Sequence, residues 1–486
     1  MGLKRQLHVW CVWCVWWLVS GGSTLQAQLA SPHKEQWWQF RGPSSNPVSD
    51  EAGLPTRWSA NENVDWVADI AGRGWSSPIV VQGRVLVTSV ETEGESKTPQ
   101  TGTDYSNAYI AELSQQGLTD AEIMEKVNAR DFEMPEEVLL HYWLHCLDLQ
   151  TGQVLWQREF HSGRPPGGRH RKNSFASETP TTDGRRIFVY TTNLTLIAYD
   201  LDGVEIWRVP QANYRIYLEF GTGSSPVVVD DKVIVLADNE EHSTITAYSC
   251  DDGKVQWQND REPPINHPTG MPKSGWTTPL IWTNPLRQEI VTVGPSLAIS
   301  YDLLGKELWR MSGITPAPSA GSLVYKDRLI LNAGKGQPIY AIRPGAHGDI
   351  TLADNNQPSE FVVWVQPRVG TYIPTPVAYQ DGIYIINDNG IVTRLDASSG
   401  DVSFKKRLSD SEASGIDFTA SAWAYDGQVF CASEQGNIYV LKAGPEFELA
   451  HVNRLGDWIM ATPALVGDRL LLRTEKKLYA FKQPPA

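Results

Sequence analysis

The side chains best suited to chemistry sit just upstream of recurring Ser/Thr-Pro dipeptides such as Ser77-Pro78, Thr179-Pro180, Ser225-Pro226 and Thr278-Pro279. In chain order these lead-in stretches carry Arg73 and Trp75; Arg169, His170, Arg171, Asn173 and Phe175; Tyr217, Glu219 and Phe220; His267, Lys273 and Trp276; Arg368 and Tyr372; Asp417 and Phe418; and Asp457 and Trp458. An aromatic beside a charge, repeated at equivalent positions, would build a shallow cup with aromatic walls and mixed charge, suited to a small polar ligand or a peptide. The candidate ligand-binding set is Arg73, Trp75, Arg169, His170, Arg171, Asn173, Glu219, Lys273, Trp276, Tyr372, Asp417 and Trp458. The plainer reading is that the aromatics wedge neighbouring elements apart and the charges stay solvated.

Other chemistry is thin. The sequence has no Gly-x-Ser-x-Gly elbow, no P-loop and no His-Glu-x-x-His zinc motif, so no catalytic residue is assigned. Arg164 to Lys172 is the one concentrated basic run. It could grip a carboxylate or phosphate through Arg forks, or be a solvated loop. His141 and His145 would share one side of a strand or a helix, but no third ligand follows at convincing spacing, so no metal site is expected. Asp148, Asp200, Asp302 and Asp396 recur at turns, where Asp caps its own backbone.

The elements that must position these residues are repeats. The unit is clearest from Thr179 to Trp207. A Thr-Pro start leads through the Asp183-Gly184 turn to the run Ile187–Tyr190. After Asn193 the run Leu196–Asp200 follows, and Gly203 turns the chain into Val204–Trp207. Runs of β-branched and aromatic residues between Gly, Asp and Asn read as strands. Four such strands per repeat make one blade of a β-propeller. A Gly stands four residues before a Trp at 152/156, 203/207, 253/257 and 305/309, and before Phe404 at Gly400. The Gly is expected at positive φ in a tight turn, and the Trp is expected to pack on the next blade. Eight repeats are counted; the eighth stops at Phe481 without its outer strand. The orphan Val64-Asp65-Trp66 is expected to supply it and so to remove an exposed edge.

The predicted fold is therefore all-β: one eight-bladed propeller over 64–486, closed by an N-terminal strand. Residues 28–63, with Trp37, Trp38 and Phe40, read as an arm draped over the fold and anchored by its aromatics. An insertion in the first blade at 91–137 has helical character, with a Thr119/Glu122 capping box. Residues 1–27 read as a cleaved signal peptide: Lys4 and Arg5 precede an 11-residue apolar run from Val9 to Val19, too short to span a bilayer. Cys11 and Cys14 would leave with it. Cys146, Cys250 and Cys431 remain, an odd number in three different repeats, which excludes a disulfide framework. The formal charge of −14 over 486 residues argues against sequence-independent nucleic-acid binding and against an anionic membrane surface.

The Ser/Thr-Pro and Asp-x-x-(x)-Gly-x-x-x-Trp pattern resembles the PQQ-type (pyrroloquinoline quinone) propeller repeat. That repeat occurs in quinoprotein dehydrogenases and in the non-enzymatic lipoprotein of the outer-membrane assembly complex. The opening Trp37-Trp38-Gln39-Phe40-Arg41-Gly42-Pro43, with Gly53-Leu54-Pro55 and Trp58, is similar to secreted PQQ-like repeat proteins of planctomycete-type bacteria. The resemblance covers residues 37 to 481. Quinoprotein alcohol dehydrogenases carry adjacent cysteines against the cofactor and calcium ligands in long insertions. This chain has no adjacent cysteines and mostly lacks those insertions. It also lacks the acylated Cys of the lipoprotein.

The expectation is a secreted or periplasmic, non-enzymatic binding or scaffold propeller that presents its channel-mouth face to a small polar ligand or an unknown protein partner. It would be monomeric, without nucleic acid and without a stable membrane anchor after signal cleavage. A PQQ-dependent oxidoreductase, with PQQ and calcium as its cofactors by resemblance, is the first alternative. A carbohydrate- or peptide-binding propeller is the second.

Overall fold

The structure, a computed structural model, describes residues 36–484 apart from 52, 95–111, 124, 127–137, 171, 265–266, 268–270, 354–356 and 409–416. The signal-peptide reading of 1–27, the start of the arm, most of the insertion and Arg171 lie outside the described residues. Eight sheets follow one another among the described residues. A representative blade, the third, runs Val227–Val229, Lys232–Ala237, Thr244–Ser249 and Val255–Asp260, all antiparallel. The first strands of several neighbouring blades touch one another, which puts them innermost, around the channel. Middle strands are buried on both faces, as in Val233–Leu236 and Ile245–Ala247. That is why their apolar runs are nearly continuous instead of alternating. Outer strands such as Glu205–Pro210 alternate, with only every second residue sheltered.

The Gly and the Trp form the joints between blades. Gly203, Gly253, Gly305 and Gly400 all have φ between 70° and 84°. A Cβ on any of them would lie 2.6–2.8 Å from the preceding blade's indole: Trp156, Trp207, Trp257 and Trp364 in turn. Each indole Nε1–H then donates to a carbonyl of the turn it covers, namely Leu201, Cys250, Leu303 and Ala397, at 3.0–3.2 Å. Trp309 departs from the expectation. Its Nε1 donates to Glu289 Oε2 in its own blade at 2.8 Å. The buried Glu289 carboxylate claims the indole, and the two-residue strand Gly348–Asp349 pairs in parallel with Trp309 and Arg310 on the outside. This strand also explains the loose stretch after Gly345.

Val64–Asp69 pairs antiparallel with Lys477–Lys482 and completes the eighth sheet as its outer strand. Trp66 repeats the joint: its Nε1 donates to Leu149 O at 3.0 Å, and its ring covers Gly152. The N-terminal strand therefore closes the ring.

Two details differ from the sequence reading. The strands flanking the insertion are longer than expected: Arg84–Glu93 pairs with Leu139–Asp148 as far as Glu93 and Leu139, and Arg73 forms a bridge to Val90 beside this ladder. Within the insertion, helical turns lie at 112–115, 120–123 and 125–126, with Thr119 N–H on Glu122 Oε2 at 2.8 Å. The arm, secondly, does more than drape. Trp37 bridges to Val80 in the first blade and Trp38 O accepts from Thr182 in the second. Asn46 then bonds both N–H and O of Ala378 in the sixth blade, and Val48–Ser49 pairs with Ala424–Tyr425 in the seventh. All these partners lie on innermost strands, so the arm crosses the channel. Beyond it, Trp58 is buried against Phe430 and Phe481.

Among the described residues no helix is long and apolar enough to cross a membrane. The three cysteines are free and buried, and burial pushes the Cys146 and Cys250 thiols up to about 12.

Candidate functional site

The Ser/Thr-Pro dipeptides build the rim. In six blades the residue at the pre-Pro position, which in Gly321 and Ser421 has no Pro after it, donates its N–H to the hydroxyl of the matching residue in the next blade. Ser77 donates to Thr179, Thr179 to Ser225 and Ser225 to Thr278, at 2.9–3.1 Å. Gly321 donates to Thr375, Thr375 to Ser421 and Ser421 to Thr462, at 2.9–3.2 Å. Pro has no N–H of its own, so the Ser/Thr amide carries the bond between blades. The result is a belt of hydroxyl-accepted bonds in two arcs along the channel, Ser77 to Thr278 and Gly321 to Thr462.

A cavity of about 380 Å³ sits inside this belt. The arm supplies its floor through Phe40, Arg41 and Ser45. Trp75, Phe220, Trp276, Tyr372 and Phe418 supply aromatic walls. Trp276 is held by its Nε1–H on Gly221 O at 2.7 Å and leans on Phe220, ring centroids 6.1 Å apart. Tyr372 lies under Lys335 Nζ at 4.8 Å, and Lys335 also pairs with Asp388 at 3.3 Å.

Arg41 is the unusual charge. It is 2% exposed, at φ 62°. Its guanidinium donates to the carbonyls of Ser322 and Pro376, and Nε has no partner. Among the described residues no carboxylate pairs with it, and burial pushes its pKa down to about 9. A buried cation held only by carbonyl dipoles leaves a positive potential in the floor. The second cation, Lys172, contacts Glu434 Oε1 at 2.9 Å and Asp417 Oδ2 at 3.5 Å.

Of the candidate set, the cavity brings together Trp75, His170, Asn173, Trp276, Tyr372 and Asp417. Asn173 spends its amide on protein: Nδ2 donates to Phe220 O and Thr222 O, and Oδ1 accepts from Phe175 N–H and Ser177 Oγ. It pins two loops together. Arg171 lies outside the described residues, and the others lie elsewhere. Arg73 pairs with Glu475 at 3.0 Å and, with Arg169, borders a separate cleft. Arg169 donates to Asn173 O and sits over the Phe175 ring. Glu219 accepts the Gly168 N–H in another groove. Lys273 is exposed, with its own N–H on Glu240. Trp458 does not line the cavity; its N–H bonds the Asp457 carboxylate.

Sequence reasoning missed Phe40 and Arg41, which arrive with the arm, and Asp388 and Glu434. The latter two sit in turns between the second and third strands of the sixth and seventh blades. Those turns open on the same face as the lead-in loops, and that was the available signal. The two histidines separate. His145 is buried between Ser89 Oγ and Gln157 Nε2, and desolvation lowers its pKa to about 4. His141 pairs with Glu159 and Glu93, and the bond to Glu159 raises its pKa. The recurrent aspartates cap their turns, as Asp148 Oδ1 does for Thr151 N–H and Asp200 Oδ1 for Val204 N–H.

Residues 141–406, more than half of the chain, match the family described as outer membrane protein assembly factor BamB. The chain belongs to this family of PQQ-type repeat propellers. Among solved structures, the PQQ-type propeller resembles a europium-containing methanol dehydrogenase, with TM-score 0.62 at 11% identity, covering 93% of this chain and 99% of that one. It also resembles the quinohemoprotein alcohol dehydrogenase of Comamonas testosteroni, with TM-score 0.58 at 12% identity, covering 96% and 84%. BamB of Moraxella catarrhalis aligns at TM-score 0.48 and 12% identity, over 71% and 91%. At these identities the likeness is one of fold. No curated protein matches the sequence.

Proposed function

We propose that this PQQ-type propeller is a non-enzymatic binding protein that takes a small polar ligand into the channel-mouth cavity and presents the same face to a protein partner. The observation that carries this reading is the arm. It crosses the channel and turns an open hole into a floored cavity with aromatic walls and Arg41 in its base. A volume of about 380 Å³ lies within the range of small-molecule sites. A flat ligand with an anionic or oxygen-rich edge matches aromatic walls over a buried guanidinium. As part of the same proposal, the protein works outside the cytoplasm after signal cleavage, as a soluble monomer.

The competing reading is a PQQ-dependent oxidoreductase, favoured by the aromatic walls of the cavity and tested on its residues. The aromatic walls and Arg41 suit the quinone, but the donor set does not suit its calcium. Among the described residues no group of three His, Cys, Asp or Glu could hold a metal ion. The two carboxylates that converge at the mouth, Asp417 and Glu434, already share the ammonium of Lys172.

Calorimetric titration with PQQ and Ca²⁺, followed by dye reduction with simple alcohols and sugars, separates the two. The binding-protein reading expects no dye reduction, and native mass spectrometry of the purified protein should find a co-purified small molecule that is lost in Trp276→Ala. Dye reduction that depends on PQQ would overturn it in favour of the oxidoreductase.

A further inference from the structure

Cation sites in proteins need several hard oxygen ligands converging with negative charge. At the cavity mouth two carboxylates converge: Asp417 from the lead-in loop of the seventh blade, and Glu434 from a hairpin turn of that blade. The Glu434 side chain is fully buried, and Thr419 Oγ1 donates to its Oε1. Its other oxygen, Oε2, is buried with no partner. A buried carboxylate of this kind requires a counter-charge. Here it comes from the far side of the ring: Lys172, on the lead-in loop of the second blade, reaches across the mouth to both carboxylates. His170 Nδ1 accepts the Lys172 N–H at 3.2 Å and fixes the base of that reach.

We propose that Lys172 is a built-in cation: its ammonium fills the place between Asp417 and Glu434 that a metal ion would otherwise take, so the cavity binds its ligand without a metal. An ammonium has three donors and no acceptor. Two are directed at Glu434 and Asp417. Lys172 lines the cavity and its side chain is 18% exposed, so the third is available to a ligand carbonyl or carboxylate oxygen. The cavity then offers two fixed cations, Arg41 in the floor and Lys172 at the mouth, to opposite ends of one oxygen-rich ligand. The metal half of this inference stands whether or not that ligand is found.

The test uses Tb³⁺ as a luminescent stand-in for Ca²⁺, with emission excited through Trp75 and Trp276 in the cavity wall. The full chain and its Glu434→Gln variant are compared with Lys172→Ala and with Lys172→Ala/Glu434→Gln, each checked for folding by circular dichroism. The acidic surface gives all four a common background. Lys172→Ala should add one saturable, Ca²⁺-displaceable site with at least about a tenfold gain in affinity over that background, and Glu434→Gln should remove it. Lys172→Gln, which keeps the side-chain length and loses the charge, takes the place of the alanine variant if that one does not fold. Two results overturn the inference: a saturable site already present in the unmodified protein and removed by Glu434→Gln alone, or folded Lys172 variants that gain none. Failure of the ligand proposal leaves this readout untouched.

Discussion

Trp66→Ala removes the joint that closes the ring. The Trp66 side chain is 7% exposed, its indole lies on Gly152, and its Nε1–H bonds Leu149 O at 3.0 Å. Truncating a buried Trp costs about 3–5 kcal/mol, and the lost hydrogen bond falls within that sum at about 1 kcal/mol. Unfolding entropy for a unit running from Glu35 to Ala486 is about 0.9 kcal/mol/K at 60 °C. The melting temperature should therefore fall by about 3–5 °C. Trp66→Phe keeps a ring near Gly152 but loses the donor and part of the buried indole, so its melting temperature should fall by less than that of Trp66→Ala, by about 1–3 °C. Val67, the next residue, is 51% exposed, and Val67→Ser should leave the melting temperature unchanged. Differential scanning calorimetry at fixed scan rate reads all three. A Trp66→Ala protein melting within 1 °C of the parent, or no lower than Val67→Ser, would refute the closure.

Three further outcomes follow from named contacts. His145 sits neutral in the fold, its pKa lowered from 6.5 to about 4 by burial and by the charge of Arg473. The unfolded chain takes up the proton first, so stability is full above pH 6.5 and falls by about 3 kcal/mol as pH drops through 4; His145→Gln should flatten that part of a urea-midpoint profile. Thr179→Val deletes the hydroxyl that accepts the Ser77 N–H at 2.9 Å; a buried amide left unpaired costs about 1–3 kcal/mol, whereas Thr179→Ser should stay within about 1 kcal/mol of the parent in the same assay. Gly203→Ala places a Cβ 2.8 Å from the Trp156 ring at φ 78° and should cost about 1–3 kcal/mol, with loosened Trp156 fluorescence as a second readout.

The ring was legible because each blade states its own joint. A Gly four residues before a Trp serves both the turn and the packing across to the next blade, so one local pattern carries a long-range contact. The orphan Val64-Asp65-Trp66 could be placed for the same reason: it is half of a joint whose other half, Gly152, lay in the first full repeat. Trp309 shows the limit. Its spacing is identical, yet the buried Glu289, which nothing in the local pattern marks, captured its indole. The arm was legible as anchored and not as threaded. Trp37, Trp38 and Phe40 say that something covers them, while the path depends on the main chain meeting innermost strands hundreds of residues away, as Val48 does at Ala424.

The site was only half legible, and the reason is geometric. Reading the lead-in loops alone treats the channel mouth as one loop per blade, but each blade sends two loops to that face. Asn387-Asp388-Asn389-Gly390 and Ser433-Glu434-Gln435-Gly436 have the composition of ordinary turns, so their acids read as turn residues. Both occupy that second position. Lys172 was visible only as the end of a basic run; its meaning depends on Glu434, 262 residues away in the chain. Arg41 has no repeat partner at all. The joints and the hydroxyl belt recur from blade to blade and hold the ring. The arm's Arg41 and the Lys172–Asp417–Glu434 contact occur once each, and both are found at the cavity. In a fold whose stability is spread over near-equivalent joints, these unrepeated charges are where selectivity for the proposed ligand can reside, because the Gly–Trp joints do not use them.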